Sequence, residues 1–134
     1  MIDAATRSLV IGRAANRCEY CLLPQSAYEA TFHVDHILPR QHQADDDLQN
    51  LALSCPKCNR KKGPNLSAVD PETRTVVRLF NPRTDKWTDH FRWNGPFLMG
   101  LTDRGRASVA LLDVNHEDRL RLRQSLIAEG IALR

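Results

Sequence analysis

A chain of 134 residues is long enough for one modest core, and its 42% hydrophobic and 26% charged content excludes a disordered or fibrous protein. The net charge of +3 is only mildly basic, so where the cations sit matters more than their sum. No stretch approaches the length of a transmembrane helix. The N-terminus, with Asp3, Arg7 and Arg13, lacks the apolar run of a signal peptide. A cytoplasmic location is expected. Cysteines stay reduced there, and four in so small a chain bind metal more often than they pair.

In chain order, Ile2, Ala5 and Leu9 recur at helical spacing, which predicts a helix over 3–16 with Asp3 as its cap. "CEYC" follows as a turn bearing Cys18 and Cys21. "ATFHVDHI" reads as a strand, rich in β-branched and aromatic residues and ended by Pro39. "RQHQADDDLQN" is a polar loop whose acidic run is a solvated loop or the cap of a short helix at "LQNLAL". In "SCPKCNRKKGPN", Pro56 suits a first helical turn and Gly63-Pro64 a helix end, so Cys58, Asn59 and Lys62 fall on or beside a short helix. "TRTVVRLF" reads as another strand. The segment from Asn81 to Leu101 carries both tryptophans with Phe91 and Phe97, and reads as turns and short strands around an aromatic cluster. Two helices close the chain, "TDRGRASVALLDVN" and "HEDRLRLRQSLIAEG". In the second, Leu120, Ile127 and Ile131 form one apolar stripe and Leu122 and Leu126 another. Such a helix is expected to be packed on both sides, one of them by a partner chain as in a homodimer.

Cys18-x2-Cys21 and Cys55-x2-Cys58 are two knuckles separated by the 33 residues 22–54. Two knuckles close a tetrahedron of thiolates around Zn²⁺, and a site with all four positions filled is structural. Buried free thiols or a redox pair are the alternatives, and the doubled spacing disfavours both. Between and beside the knuckles runs the series Asp35-His36, thirteen residues, Asn50, eight residues, Asn59. Asp35 and Asn59 offer hard oxygen ligands suited to Mg²⁺, which keeps waters and takes phosphate oxygens. Strand alternation sends His36 to the face opposite Asp35, where a neutral imidazole suits a general base. Alone, such an Asp-His pair reads as a hydrogen-bonded core pair; the surrounding spacing makes it read as catalytic.

"VDHILP", "NLALSC" and "CNRKKG", framed by the two knuckles, resemble the HNH endonuclease family. "LFNPR", "HF" after Trp87 and "GRA" resemble the tail of small bacterial members. The resemblance implies an α+β fold: a ββα-metal (His-Me finger) core stapled by a four-cysteine zinc site, with a helical C-terminal extension. It divides the chain into a core at 1–66 and an extension at 67–134, packed together as a single domain. It makes His36 the general base, gives Asp35 and Asn59 the catalytic Mg²⁺ or Mn²⁺, and has Asn50 brace the loop and orient His36. Cys18, Cys21, Cys55 and Cys58 hold Zn²⁺. "QADDD" stands where many relatives have a glycine pair. His33, on the face of Asp35, is expected to be a polar neighbour of the site.

Arg40, Lys57, Arg60, Lys61 and Lys62 cluster around this core and fit a phosphate backbone, bound with strong salt dependence and little sequence preference. DNA is the expected partner, with RNA possible. Arg119, Arg121 and Arg123 are candidates for DNA contact and equally for the dimer surface. The alternatives are a zinc-stapled DNA-binding module without catalysis and an interaction protein that uses zinc only to fold.

Overall fold

The structure, a computed structural model, describes residues 2–39 and 46–134. By internal packing the chain divides into two compact units, Met1–Asn65 with Asn81–Thr84, and Leu66–Phe80 with Asp85–Arg134. The first mixes short helices with one two-stranded sheet and the second with two, the α+β class the sequence implies.

In the first unit, helix α1 spans Ala4–Arg13. Asp3 caps it as expected, Oδ1 accepting from the Thr6 amide at 2.8 Å. The helix ends where Ala15 and Asn16 turn into the left-handed region. Val10 is its buried residue. Arg7 donates to the Phe32 carbonyl at 2.8 Å, and Arg13 to the carbonyls of Leu48 and Leu51 at 2.8 and 2.6 Å. The two arginines thus tie α1 to the segments that lead into both strands.

Strand β1 (His33–His36) pairs antiparallel with β2 (Leu51–Ser54), Asp35 opposite Ala52 and His36 opposite Leu51. Helix α2 (Pro56–Lys62) follows with Pro56 in its first turn. Gly63 ends it at φ 49°, where a side chain would be strained. Strand, strand, helix is the order the family resemblance implies. The periodicity alone errs at "LQNLAL": only Leu48–Asn50 coils, as one 3-10 turn, and "LALS" is a fully buried strand. A short continuous apolar run has no period that separates helix from strand.

The second unit holds two hairpins and three helices. Strands β3 (Ser67–Val69) and β4 (Val76–Arg78) pair antiparallel, as do β5 (Phe91–Asn94) and β6 (Phe97–Gly100). Helices α3 (Trp87–His90), α4 (Asp103–Leu111) and α5 (Glu117–Ala128) complete it. The aromatic cluster is present: Trp87 lies 5.2 Å from Phe91 and 6.0 Å from Trp93, ring centre to ring centre. Gly105 lets α4 approach closely, because a Cβ there would stand 2.2 Å from the His90 carbonyl oxygen.

Helix α5 corrects the two-stripe expectation. Its inward face is Arg119, Arg123 and Leu126, while Ile127 is 44% exposed. The arginines face inward because loop carbonyls there need donors. Arg119 donates to the Leu112 carbonyl at 2.7 Å, and Arg123 to those of Pro96 and Val114 at 2.7 and 2.6 Å. They are therefore not surface cations for DNA. Arg121 is exposed and paired with Glu117 and Asp118.

Candidate functional site

The knuckles meet. The four sulfur atoms of Cys18, Cys21, Cys55 and Cys58 lie within 4.8 Å of one another, and all four residues are buried. The Sγ atoms of Cys21 and Cys55 are 3.8 Å apart, too far for a disulfide. Tetrahedral sulfurs at about 2.3 Å from a central zinc stand about 3.8 Å from each other, so the spacing fits a metal. Burial, then the neighbouring thiols, pushes the Cys18 thiol well up. The hydrogen bond with Cys18 pulls the Cys55 thiol down, and a cation among the sulfurs would let the others ionise as well.

Local structure explains the convergence. Leu22, at φ 62°, turns the first knuckle back so that its amide donates to the Cys18 carbonyl at 2.8 Å. Cys55 caps α2, Sγ accepting from the Cys58 amide at 3.4 Å. Glu19 fastens one knuckle to the strand leading into the other: its amide donates to the Leu53 carbonyl at 2.8 Å, and its carboxylate accepts from the Leu53 amide at 2.8 Å. Glu19 also pairs with Arg83. Burial, then the charge of Arg13, brings the Arg83 guanidinium down to about 10, still cationic at neutral pH.

A cleft of about 350 Å³ is lined by His33, Val34, Asp35, His36, Pro39, Asn59, Gly63 and Pro64. Asp35, His36 and Asn59 therefore share one cavity. Alternation still governs their partners. The Asp35 carboxylate turns to Tyr20 and Lys62, with Oδ2 accepting from the Tyr20 hydroxyl at 3.2 Å and standing 3.3 Å from the Lys62 ammonium. His36 Nε2 shares a 2.6 Å hydrogen bond with Asp46 Oδ1. Burial pushes the Asp35 carboxyl up, while Lys62 and then Tyr20 pull it back. Tyr20, raised by its own burial and by the Asp35 charge, stays a hydroxyl and a donor.

Asn50 spans the loop after β1. Its Oδ1 accepts from the Leu38 amide at 2.8 Å, and its Nδ2 donates to the Leu38 carbonyl at 3.0 Å. The Asn50 carbonyl accepts from the Ile37 amide at 2.9 Å. Three bonds thus fix the backbone directly after His36.

Of the cations expected to meet phosphate, Arg60 and Lys61 are exposed and Lys57 is half-buried, all on α2. Arg40 lies outside the described residues. Lys62 differs from the expectation: it is 3% exposed and turned under the site, donating to the His36 carbonyl at 3.1 Å beside Asp35. A buried ammonium needs acceptors, and the end of β1 supplies both.

Two site residues escape the sequence reading. Tyr20 hides between the knuckle cysteines, where nothing marks it as a partner of Asp35. Asp46 belongs to the acidic run read as a solvated loop or helix cap. Asp47 is indeed the cap, accepting from the Gln49 amide at 2.9 Å, while Asp46 turns to His36. An acid lying between the strand histidine and Asn50 was the available signal.

Among the described residues no helix is long and apolar enough to cross a membrane. Residues 18–65 match the family model for HNH endonuclease. The chain is 30% identical over 107 residues to Septu protein PtuB of Bacillus thuringiensis, a match covering 78% of this chain and 39% of that protein's length. The chain thus spans well under half of that relative. No solved structure gives a significant match. Two strands, a helix and the four-cysteine cluster lie inside the matched segment, and residues 18–65 are an HNH endonuclease domain.

Proposed function

We propose that the protein is a metal-dependent endonuclease that hydrolyses phosphodiester bonds in DNA. One observation carries the reading: Asp35, His36 and Asn59 border a single cleft, and Asn59 directly follows Cys58 of the four-cysteine cluster. Zn²⁺ among the cysteines would be structural, while Asp35 and Asn59, both oxygen donors, fit Mg²⁺ or Mn²⁺. When bound, the divalent ion stabilises negative charge developing on the phosphate.

The protein's own groups do the rest. Asp46 carboxylate oxygen accepts from Nε2 of a neutral His36, which leaves the lone pair on Nδ1. That nitrogen takes a proton from the attacking water. The three bonds around Asn50 hold the backbone that carries the imidazole. Lys57, Arg60 and Lys61 of α2 would meet the phosphates of the strand.

The test is relaxation of supercoiled plasmid by the purified chain with Mg²⁺ or Mn²⁺. Cleavage should fall at least about a hundredfold in His36→Ala and vanish with chelator, while zinc content and duplex binding in His36→Ala stay unchanged. A His36→Ala protein that cuts as well as the parent would overturn the assignment. A folded, zinc-loaded parent that binds duplex without cutting would favour a DNA-binding module instead.

A further inference from the structure

Lys62 stands apart from the other cations of α2. It sits in the last turn of the helix, where basic residues usually face water, yet it is 3% exposed. Both of its ammonium contacts come from β1: Asp35 Oδ2 at 3.3 Å and the His36 carbonyl at 3.1 Å. So buried a group cannot reach a phosphate backbone as Arg60 and Lys61 can. Its effect falls on the cleft.

Among the described lining residues the charges of that cleft are few. Asp35 is the one carboxylate among its described lining residues, and Asn59 is neutral. Lys62 balances Asp35. Asp46 lies on the imidazole side, 42% exposed, where water screens it. A divalent ion entering the cleft alone would lose hydration and meet a fixed cation at the carboxylate it needs. A phosphodiester supplies the missing negative charge together with further oxygen ligands.

We infer that Lys62 is a built-in counter-ion that keeps the free cleft from holding a divalent ion firmly, so that ion and nucleic acid bind cooperatively. This rests on the proposed metal role of Asp35. Lys62 acts through Asp35 and is a positioning residue. The same contacts keep Asp35 ordered on Tyr20 before the ion arrives. Linkage makes the coupling reciprocal: the ion must tighten duplex binding by the factor by which duplex tightens ion binding.

The experiment uses the full zinc-loaded chain carrying His36→Ala, so that duplex stays intact. Free Mn²⁺ is titrated and followed by electron paramagnetic resonance. The affinity for a fluorescent DNA duplex is read by anisotropy across the same Mn²⁺ range. With Lys62 present, Mn²⁺ should tighten duplex binding about tenfold or more. Adding Lys62→Met should tighten Mn²⁺ binding to the DNA-free protein about tenfold and shrink the coupling, while Lys62→Arg should preserve it. Absence of coupling in the Lys62 protein overturns the inference, and that measurement needs no Lys62 variant to fold. A zinc-replete Lys62→Met protein that binds Mn²⁺ no more tightly overturns it as well. Asp35→Ala separates the two levels. Unchanged Mn²⁺ binding there sinks the metal site itself; lost Mn²⁺ binding there, with an inert Lys62→Met, sinks only the counter-ion.

Discussion

Both units of the molecule bury cations, and they use them differently. In the first, Lys62 meets a carboxylate and a carbonyl at the edge of a cleft. In the second, Arg119 and Arg123 meet the carbonyls of Leu112, Pro96 and Val114. Those carbonyls lie in the connection after α4 and in the β5–β6 turn, and the arginines satisfy them as structural caps. The contrast teaches that a buried charge is not a sign of function by itself. Its partner decides, and an ionisable partner bordering a cavity is the informative case.

The means of stabilisation differ just as sharply. The first unit gathers four buried cysteines into one cluster. The second is held by hydrophobic packing, by Arg119 and Arg123, and by the fork of Arg106 on Asp70, at 3.0 and 2.9 Å. On the proposed structural zinc, removing the metal should divide them. Cys58→Ser is expected to abolish zinc binding and the cooperative folding of the first unit, the largest effect here, because a structural zinc site contributes roughly 10 kcal/mol or more to folding. The second unit should keep its own melting transition. Calorimetry with zinc analysis checks this, and a zinc-free variant that melts like the parent would remove the distinction between the units.

The next prediction sharpens the same comparison from the other side. Asp70 orders the β3–β4 turn, accepting from the Glu72 amide at 3.0 Å and the Thr73 hydroxyl at 2.9 Å. The hydrogen bonds from Arg106, ahead of those turn donors, hold its carboxyl well below the usual carboxylate range. A carboxyl lowered by folding stabilises the protein in full above its unfolded value, about pH 4. That contribution fades as the pH falls below it. Asp70→Asn should lower the melting temperature of the second unit by several degrees at neutral pH, with zinc content unchanged. The gap to the parent should narrow as the solution is acidified. A gap constant down to acid unfolding would mean that the ion pair is not its source.

Legibility in the sequence followed physical rules that differ along the chain. The cysteine spacing was readable because metal chemistry demands it, and Pro56 and Gly63 bounded α2 because backbone geometry demands them there. Asp35, His36 and Asn59 could be named from the motif, and one cleft brings them together. Strand β2 hid in an apolar run without a period, and the motif, not the periodicity, implied it. The inward turn of Lys62, Arg119 and Arg123 was invisible because a cation's partner is set by the fold. Sequence shows only that the charge exists. The same holds for Asp46, one acid in a run of three, chosen for His36 by loop geometry.

The smallest expected effect tests whether exposed cations of the two units are equivalent. Arg60 is exposed on α2. Arg121 is 64% exposed on α5, but it is paired with Glu117 four residues before it and with Asp118 three before it. A phosphate reaching Arg121 would have to displace two carboxylates and then lie beside them. On the proposed function, Arg60→Ala should weaken duplex binding and lower the slope of log affinity against log salt by about 1. Arg121→Ala should leave slope and affinity alone, and should change stability by no more than about 0.5 kcal/mol, as exposed pairs of this kind contribute. Salt titrations of duplex binding for both variants decide the matter. Equal slope changes would mean that the carboxylates beside Arg121 do not shield it and that the second unit also reads phosphate. A change for Arg60 alone would leave phosphate contact with the unit that carries the cleft.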